Sequence, residues 1–204
     1  MVIAAVIGSG VSSPAATTKR RRASRPTSTV ITTATTTTTT MVKKVTTSGV
    51  SIAASMALTS PVMSAGGSLP VAYTCDGASR TPPLQWTPGP KGTVSYAVVM
   101  HHVAGPGDTH WYWVLYNIAS TVTQLDDGVP PSATVGTNSV NRRTEYTPPC
   151  SKGPGAKEYI FTVYALSKAP ALSDPTAVTR QVLLDAMEGS VLTSSTLSVT
   201  YSRR

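Results

Sequence analysis

The stretch SYAVVMHHVAGPGDTHWYWVLYNI, residues Ser95 to Ile118, decides the fold. Its two ends, SYAVVM and WYWVLYNI, are rich in β-branched and aromatic residues and are divided by the turn formers of AGPG. Both read as strands. Both are apolar on each face, which predicts central strands covered from two sides. Working outward, YIFTVYAL (Tyr159 to Leu166) and LSVTY (Leu197 to Tyr201) share this texture, with PGPKG and PPCSKGPG as further punctuation. One segment departs from it. In SDPTAVTRQVLLDAMEGS, Asp174 or Ser173 suits a cap, Pro175 the first helical turn and Gly189 the stop. Val178, Val182, Leu183, Ala186 and Met187 then share a face, which predicts an amphipathic helix packed on the sheet. The fold class is mainly β with one late helix.

The chain has 204 residues, only 13% of them charged, and a net charge of +8. That excess sits at the front. No acid precedes Asp76, whereas Lys19, Arg20, Arg21, Arg22, Arg25, Lys43 and Lys44 all do. The remainder is near neutral, which argues against nucleic acid as a partner, because such domains carry positive charge on the folded face among stacking aromatics. Residues 1–55 are rich in Thr, Ser and Arg without apolar periodicity and read as a disordered tail, leaving a domain over 56–204. The acid-free, Arg-rich leader fits an organelle transit peptide; the alternatives are a plain extension, or a start at Met41 or Met56. The expected location is accordingly cytoplasmic or organellar. The opening MVIAAVIGSGV is too short and too interrupted by Gly to span a membrane, and no other transmembrane segment is read.

All three histidines, His101, His102 and His110, lie in the opening stretch. Successive side chains of a strand point to opposite faces, so His101 and His102 share a metal only if the chain bends sharply after His102. Cys75 and Cys150 are too few for a four-cysteine zinc site; they either form one disulfide or lie reduced. No GxSxG elbow and no phosphate-binding GxxxxGK[ST] loop is present. An enzymatic reading would make His102 the base of a hydrolase or metal-dependent enzyme, assisted by Tyr112, Lys157 or Cys150. The segment PPCSKGPGAKEY, Pro148 to Tyr159, offers glycines that let backbone N–H groups approach a ligand and two lysines that supply positive charge. Together these suit a small anion.

The order of segments adds a resemblance. YTCDG (Tyr73 to Gly77), PPLQW (Pro82 to Trp86), the strand into MHHVAGP, WYWVLYNI, the PPCSKGPG loop and KEYIFTVYAL together resemble the phosphatidylethanolamine-binding protein family. The likeness is to its bacterial-type branch of Raf-kinase-inhibitor-like proteins and runs from about Leu58 to the C-terminus. It implies a large antiparallel sheet packed with smaller β elements, helices near the C-terminus, and a pocket at one end for small anions or phospholipid headgroups. It implies no cofactor and no catalysis, and leaves room for a regulatory protein partner. In the family an Asp-Pro-Asp-like turn walls this pocket; here His102 stands at its first acidic position, followed by Val103 and Ala104. Counting back from Asn117, Tyr112 falls where the family has a strand histidine, with His110 two residues earlier. Of the family's His-Arg-Tyr-like triplet only the tyrosine, Tyr159, remains, preceded by Lys157 and Glu158. The resemblance thus assigns a remodelled anion pocket to His101, His102, His110, Tyr112, Pro148, Cys150, Lys157 and Tyr159. It also brings Cys75 and Cys150 to the border of one pocket, where a disulfide would lock the loop against the YTCDG turn.

Overall fold

The computed structural model describes residues 55–203, so the expectations for the tail and leader fall outside the described residues. Strands β3 (Ser95–Gly105) and β4 (Asp108–Ala119) form an antiparallel hairpin closed by Pro106 and Gly107 alone. Gly107 has φ 76°, a conformation that costs glycine nothing. The strands therefore run on through the AGPG cluster, and all three histidines are strand residues, with His102 opposite His110. Strand β7 (Lys157–Leu166) pairs with the other edge of β3, β8 (Val191–Tyr201) lies outside β7, and the short β6 (Thr134–Val135) flanks β4. The order is β6-β4-β3-β7-β8, antiparallel throughout. A second sheet joins β1 (Leu58–Thr59), β2 (Leu84–Trp86) and β5 (Gln124–Leu125).

The large sheet is covered on both faces, as its unbroken apolar strands predict. On one face Tyr96, Val98, Met100, Trp113, Leu115 and Phe161 bury against Leu58, Leu84, Trp86 and Leu125 of the small sheet. On the other, Ala97, Val99, Val114 and Tyr116 meet Val178, Leu183 and Met187. Each such fully buried large side chain contributes about 1.5–3 kcal/mol, so these two layers hold the sheet. The outer edge of β8 is not left open. Gly66 N–H donates to the Ser198 carbonyl, Leu69 N–H to that of Thr200, and Thr200 N–H returns to Gly67, each at 2.8 Å. Covering an edge in this way removes a template for strand addition.

The single helix expected over residues 174–189 is divided. Asp174 does cap, accepting the Thr176 N–H at 2.9 Å, but it opens only a 3₁₀ turn over Pro175–Ala177. The α-helix α1 spans Arg180–Ala186 with Thr179 as its own cap. The break has a physical cause. The carbonyls of Thr176 and Val178, which would accept intrahelical bonds, are taken by the Thr137 hydroxyl and the Thr137 N–H, both at 2.7 Å. The buried face is accordingly Val178, Leu183 and Met187, while Val182 and Ala186 are exposed, a correction to the expected five-residue face. Gly189 ends the segment at φ 70°, as its residue type predicts.

Candidate functional site

A cavity of about 440 Å³ opens at one end of the large sheet, a size that suits a small organic molecule. β3 supplies His102 and Ala104, β4 supplies His110 and Tyr112, and β7 supplies Lys157. Two loops close the wall, one with Ser139 and Val140, the other running from Thr147 to Lys152.

Tyr112 reaches this wall through a β-bulge. Met100 pairs with Trp113 and His101 with Trp111, so Tyr112 is the extra residue of β4 and has no partner on β3. Strict alternation would send Tyr112 and Trp113 to opposite faces; instead both pack with the core on the cavity side. Bulges re-aim side chains in this manner and concentrate near binding sites. The Tyr112 carbonyl is taken by Thr147 N–H at 2.9 Å, which ties the second loop to the bulge.

His102 is 8% exposed, and its Nδ1 lies 2.8 Å from the Glu158 carbonyl oxygen. Tyr159 does not line the cavity. It is fully buried just behind the wall, its ring centroid 5.5 Å from His102 and 5.3 Å from Tyr112. Burial raises the Tyr159 hydroxyl well above the ordinary phenol range, and neighbouring Tyr112 adds to it; burial raises Tyr112 too. The Tyr159 hydroxyl lies near Ser151 and Tyr112 but has no well-formed hydrogen bond, and the Thr147 hydroxyl, on the wall itself, has none either.

His110 is half-exposed at the rim, its Nε2 3.1 Å from Asp108 Oδ1. Lys157 donates to the Lys152 carbonyl, so both lysines stand on one side of the opening. Pro148 and Cys150 line the cavity as the resemblance implies, and Cys150 is disulfide-bonded to Cys75 with the Cα atoms 5.2 Å apart. His101 is the correction. Alternation turns it to the opposite sheet face, the one α1 covers, and it is no part of the wall. Burial lowers its pKa, and Arg180 and His102 press in the same direction.

Six wall residues stand outside the set assigned from the sequence: Ala104, Ser139, Val140, Thr147, Ser151 and Lys152. Ser139 and Val140 are placed by Asn138, which is 1% exposed. Its Oδ1 accepts the Val140 and Asn141 N–H groups, both at 2.9 Å, while its Nδ2 donates to Asn141 Oδ1 at 2.7 Å. An Asn that closes a turn on its own backbone is a readable signal, and the NSVNRR segment carries it. Taken whole, the wall has two lysines and two imidazoles and not one carboxylate. A larger hollow of about 590 Å³ lies elsewhere, beside Asp76, Tyr201 and Arg203. Its carboxylate is already satisfied, by the Tyr201 hydroxyl and by Arg203 at 2.6 Å. Among the described residues no three His, Cys, Asp or Glu side chains converge as a metal's donors would, and no helix is long and apolar enough to cross a membrane.

Comparison with known proteins agrees with this architecture. A UPF0098 protein of Chlamydia trachomatis is 34% identical over 154 residues, covering 72% of this chain and 99% of the relative. A UPF0098 protein of Methanothermobacter thermautotrophicus is 33% identical over 142 residues, 67% of this chain and 92% of its own. Among solved structures, the phosphatidylethanolamine-binding protein homologue CT736 of Chlamydia trachomatis superposes with a TM-score of 0.67 at 28% identity, over 74% of this chain and 99% of that one. YbcL of E. coli, at 23% identity, shares the fold with the same TM-score, over 74% and 100% of the two chains. The family model described as phosphatidylethanolamine-binding protein matches residues 59–202. With most of the domain matched and the sheet, helix and end cavity in place, this chain belongs to the phosphatidylethanolamine-binding protein family.

Proposed function

We propose that this protein is a non-enzymatic binding protein for small organic anions, with phosphorylated headgroups as the ligand chemistry that fits best. The observation that carries the reading is the chemistry of the wall: Lys152, Lys157 and His102 with no carboxylate among them, and His110, whose partner Asp108 stands outside the wall. Ala104, Val140 and Pro148 add apolar surface, and the volume exceeds what a bare inorganic anion needs. Both features favour an anionic group at one end of a larger organic molecule. The family's name points to a lipid whose headgroup has this form.

The test is thermal shift of the full chain with phosphate, phosphoethanolamine, acetate and zinc, at pH 6 and pH 8. A ligand that binds only the folded state raises its stability by about 2.7 kcal/mol at a hundredfold excess over its dissociation constant. Stabilisation by the two phosphate compounds is expected. Stabilisation by zinc alone, greater at pH 8, replaces this reading with a metal site. Failure of every ligand leaves a protein-binding scaffold with a vestigial cavity. Phosphoester turnover that disappears in His102→Ala makes the protein a hydrolase.

A further inference from the structure

We propose that the Cys75–Cys150 disulfide gates the cavity: oxidised, it holds one wall in the binding geometry; reduced, that wall loosens and anion affinity falls. This rests on the anion-binding reading and adds its regulation.

The two halves of the bond are held very differently. Cys75 belongs to a knitted turn. The Thr74 hydroxyl donates to the Val71 carbonyl at 2.9 Å, Gly77 N–H to that of Thr74 at 3.2 Å, and Arg80 N–H to that of Ala72 at 3.1 Å. The neighbouring Asp76 accepts from the Tyr201 hydroxyl and pairs with Arg203. A Cβ on Gly77 would lie 2.1 Å from the Val71 carbonyl oxygen, so this turn has no slack.

Cys150 belongs to a segment of the opposite kind. Residues 148–156 form neither helix nor strand. Ser151, Gly153 and Gly155 all have positive φ, at 38°, 98° and 86°. Pro148, Pro149 and Pro154 have no N–H to donate. The ties that hold the segment are few: Cys75 N–H to the Pro149 carbonyl at 3.1 Å, the Ser151 hydroxyl to the Tyr201 carbonyl at 3.1 Å, the Lys157 ammonium to the Lys152 carbonyl, and the disulfide. Three of these ties are single hydrogen bonds, and Ser151, a non-glycine at positive φ, keeps its conformation only while its surroundings impose it. The disulfide is the covalent tie, and Cys150 itself lines the cavity between Pro148 and Lys152. Cutting it frees the wall and one of the two lysines while leaving the Cys75 turn intact.

The reaction needs a dithiol reductant. Its thiolate attacks the Cys150 sulfur, and Cys75 leaves as a thiolate that takes a proton. The reductant's second thiol then attacks its own sulfur in the mixed disulfide, releasing Cys150 as a thiol. Two electrons and two protons pass to the protein, and the reductant departs as a cyclic disulfide.

The experiment measures sulfate binding to the full chain by calorimetry in the oxidised form, after dithiothreitol treatment, and in a Cys75→Ser, Cys150→Ser double variant. Hydrogen exchange of the same three samples is followed by mass spectrometry. Ordering a loosened wall on binding costs affinity, so the dissociation constant is expected to rise about tenfold on reduction and recover on reoxidation. Exchange should quicken over residues 151–156 and stay unchanged over residues 71–80. Equal affinities in the oxidised and reduced forms overturn the gate and leave the anion reading standing. No sulfate binding in either form, and no phosphoethanolamine binding either, overturns the anion reading, and the gate with it. Exchange that quickens across the whole domain shows global unfolding and also overturns the gate.

Discussion

The Nδ1 atom of His102 lies 2.8 Å from the carbonyl oxygen of Glu158. A carbonyl can only accept, so the imidazole donates from Nδ1, and its Nε2 carries a lone pair while the ring is neutral. An anion beside that ring is held chiefly by the two cations of the wall, Lys152 and Lys157. Sulfate is expected to bind about tenfold more weakly in Lys157→Met than in the unchanged protein. Calorimetry on the two proteins checks it. Equal affinities would show that this lysine does not reach the ligand.

Tyr146, partly buried, and Tyr159, fully buried, should respond differently to loss of their hydroxyls. Tyr146 donates to the Tyr73 carbonyl at 2.7 Å, so Tyr146→Phe is expected to cost about 1 kcal/mol. Tyr159 has no well-formed bond to lose, and Tyr159→Phe should leave stability unchanged or raise it by up to about 1 kcal/mol. Urea unfolding of the pair measures both. A destabilised Tyr159→Phe would mean that this hydroxyl is satisfied in the free protein.

The same tyrosines set the alkaline limit. Burial raises the pKa of Tyr146, with Tyr159 adding to it, and Tyr159 and Tyr112 are shifted the same way. A folded-state pKa above the unfolded value gives stability that is complete below the unfolded phenol pKa of about 10 and is lost as pH rises beyond it. Urea midpoints should therefore hold up to about pH 10 and fall steeply by pH 11–12. Tyrosinate absorbance should appear together with unfolding. Ionisation of all eight tyrosines in a protein that is still folded would contradict this.

On the helical face, Leu183 is fully buried and Val182 is 38% exposed. Leu183→Ala should cost about 3 kcal/mol through lost burial and the cavity left behind. Val182→Ala should stay within about 0.5 kcal/mol. Similar losses from the two variants would restore the broader apolar face that the sequence pattern suggests.

How much of this was legible differs by element. The long strands were, because β3, β4 and β7 are buried on both faces and show it as continuous apolar runs. Their ends were not. AGPG contains a two-residue turn, and glycine or proline near a strand does not say how few residues the reversal will use. Strands β1, β2, β5 and β6, of two or three residues each, are too short to display a period. The helix differs from its pattern because its interruption comes from Thr137, 39 residues before Thr176, and local pattern cannot register a distant claim on a carbonyl. At the cavity, alternation puts His101 and His102 on opposite faces, yet the pocket set assigned from the resemblance held both, and the cavity keeps only His102. Tyr112 was placed by the resemblance. The bulge that aims it leaves no compositional mark, since Trp-Tyr-Trp would suit an unbroken strand equally well.

The edge that residues 66–69 place on β8 joins early sequence to late, with Gly67 and Thr200 separated by 133 positions. A ribosome makes the first partner long before the second. Until Thr200 has been synthesised, the segment beside Gly67 has nothing to pair with, and β7 presents an open edge of its own. A nascent chain stalled ahead of β8 is therefore a sticky object, exposing hydrogen-bonding groups that the finished domain conceals. Closure of this domain waits on the synthesis of β8, and until then the growing chain needs shielding.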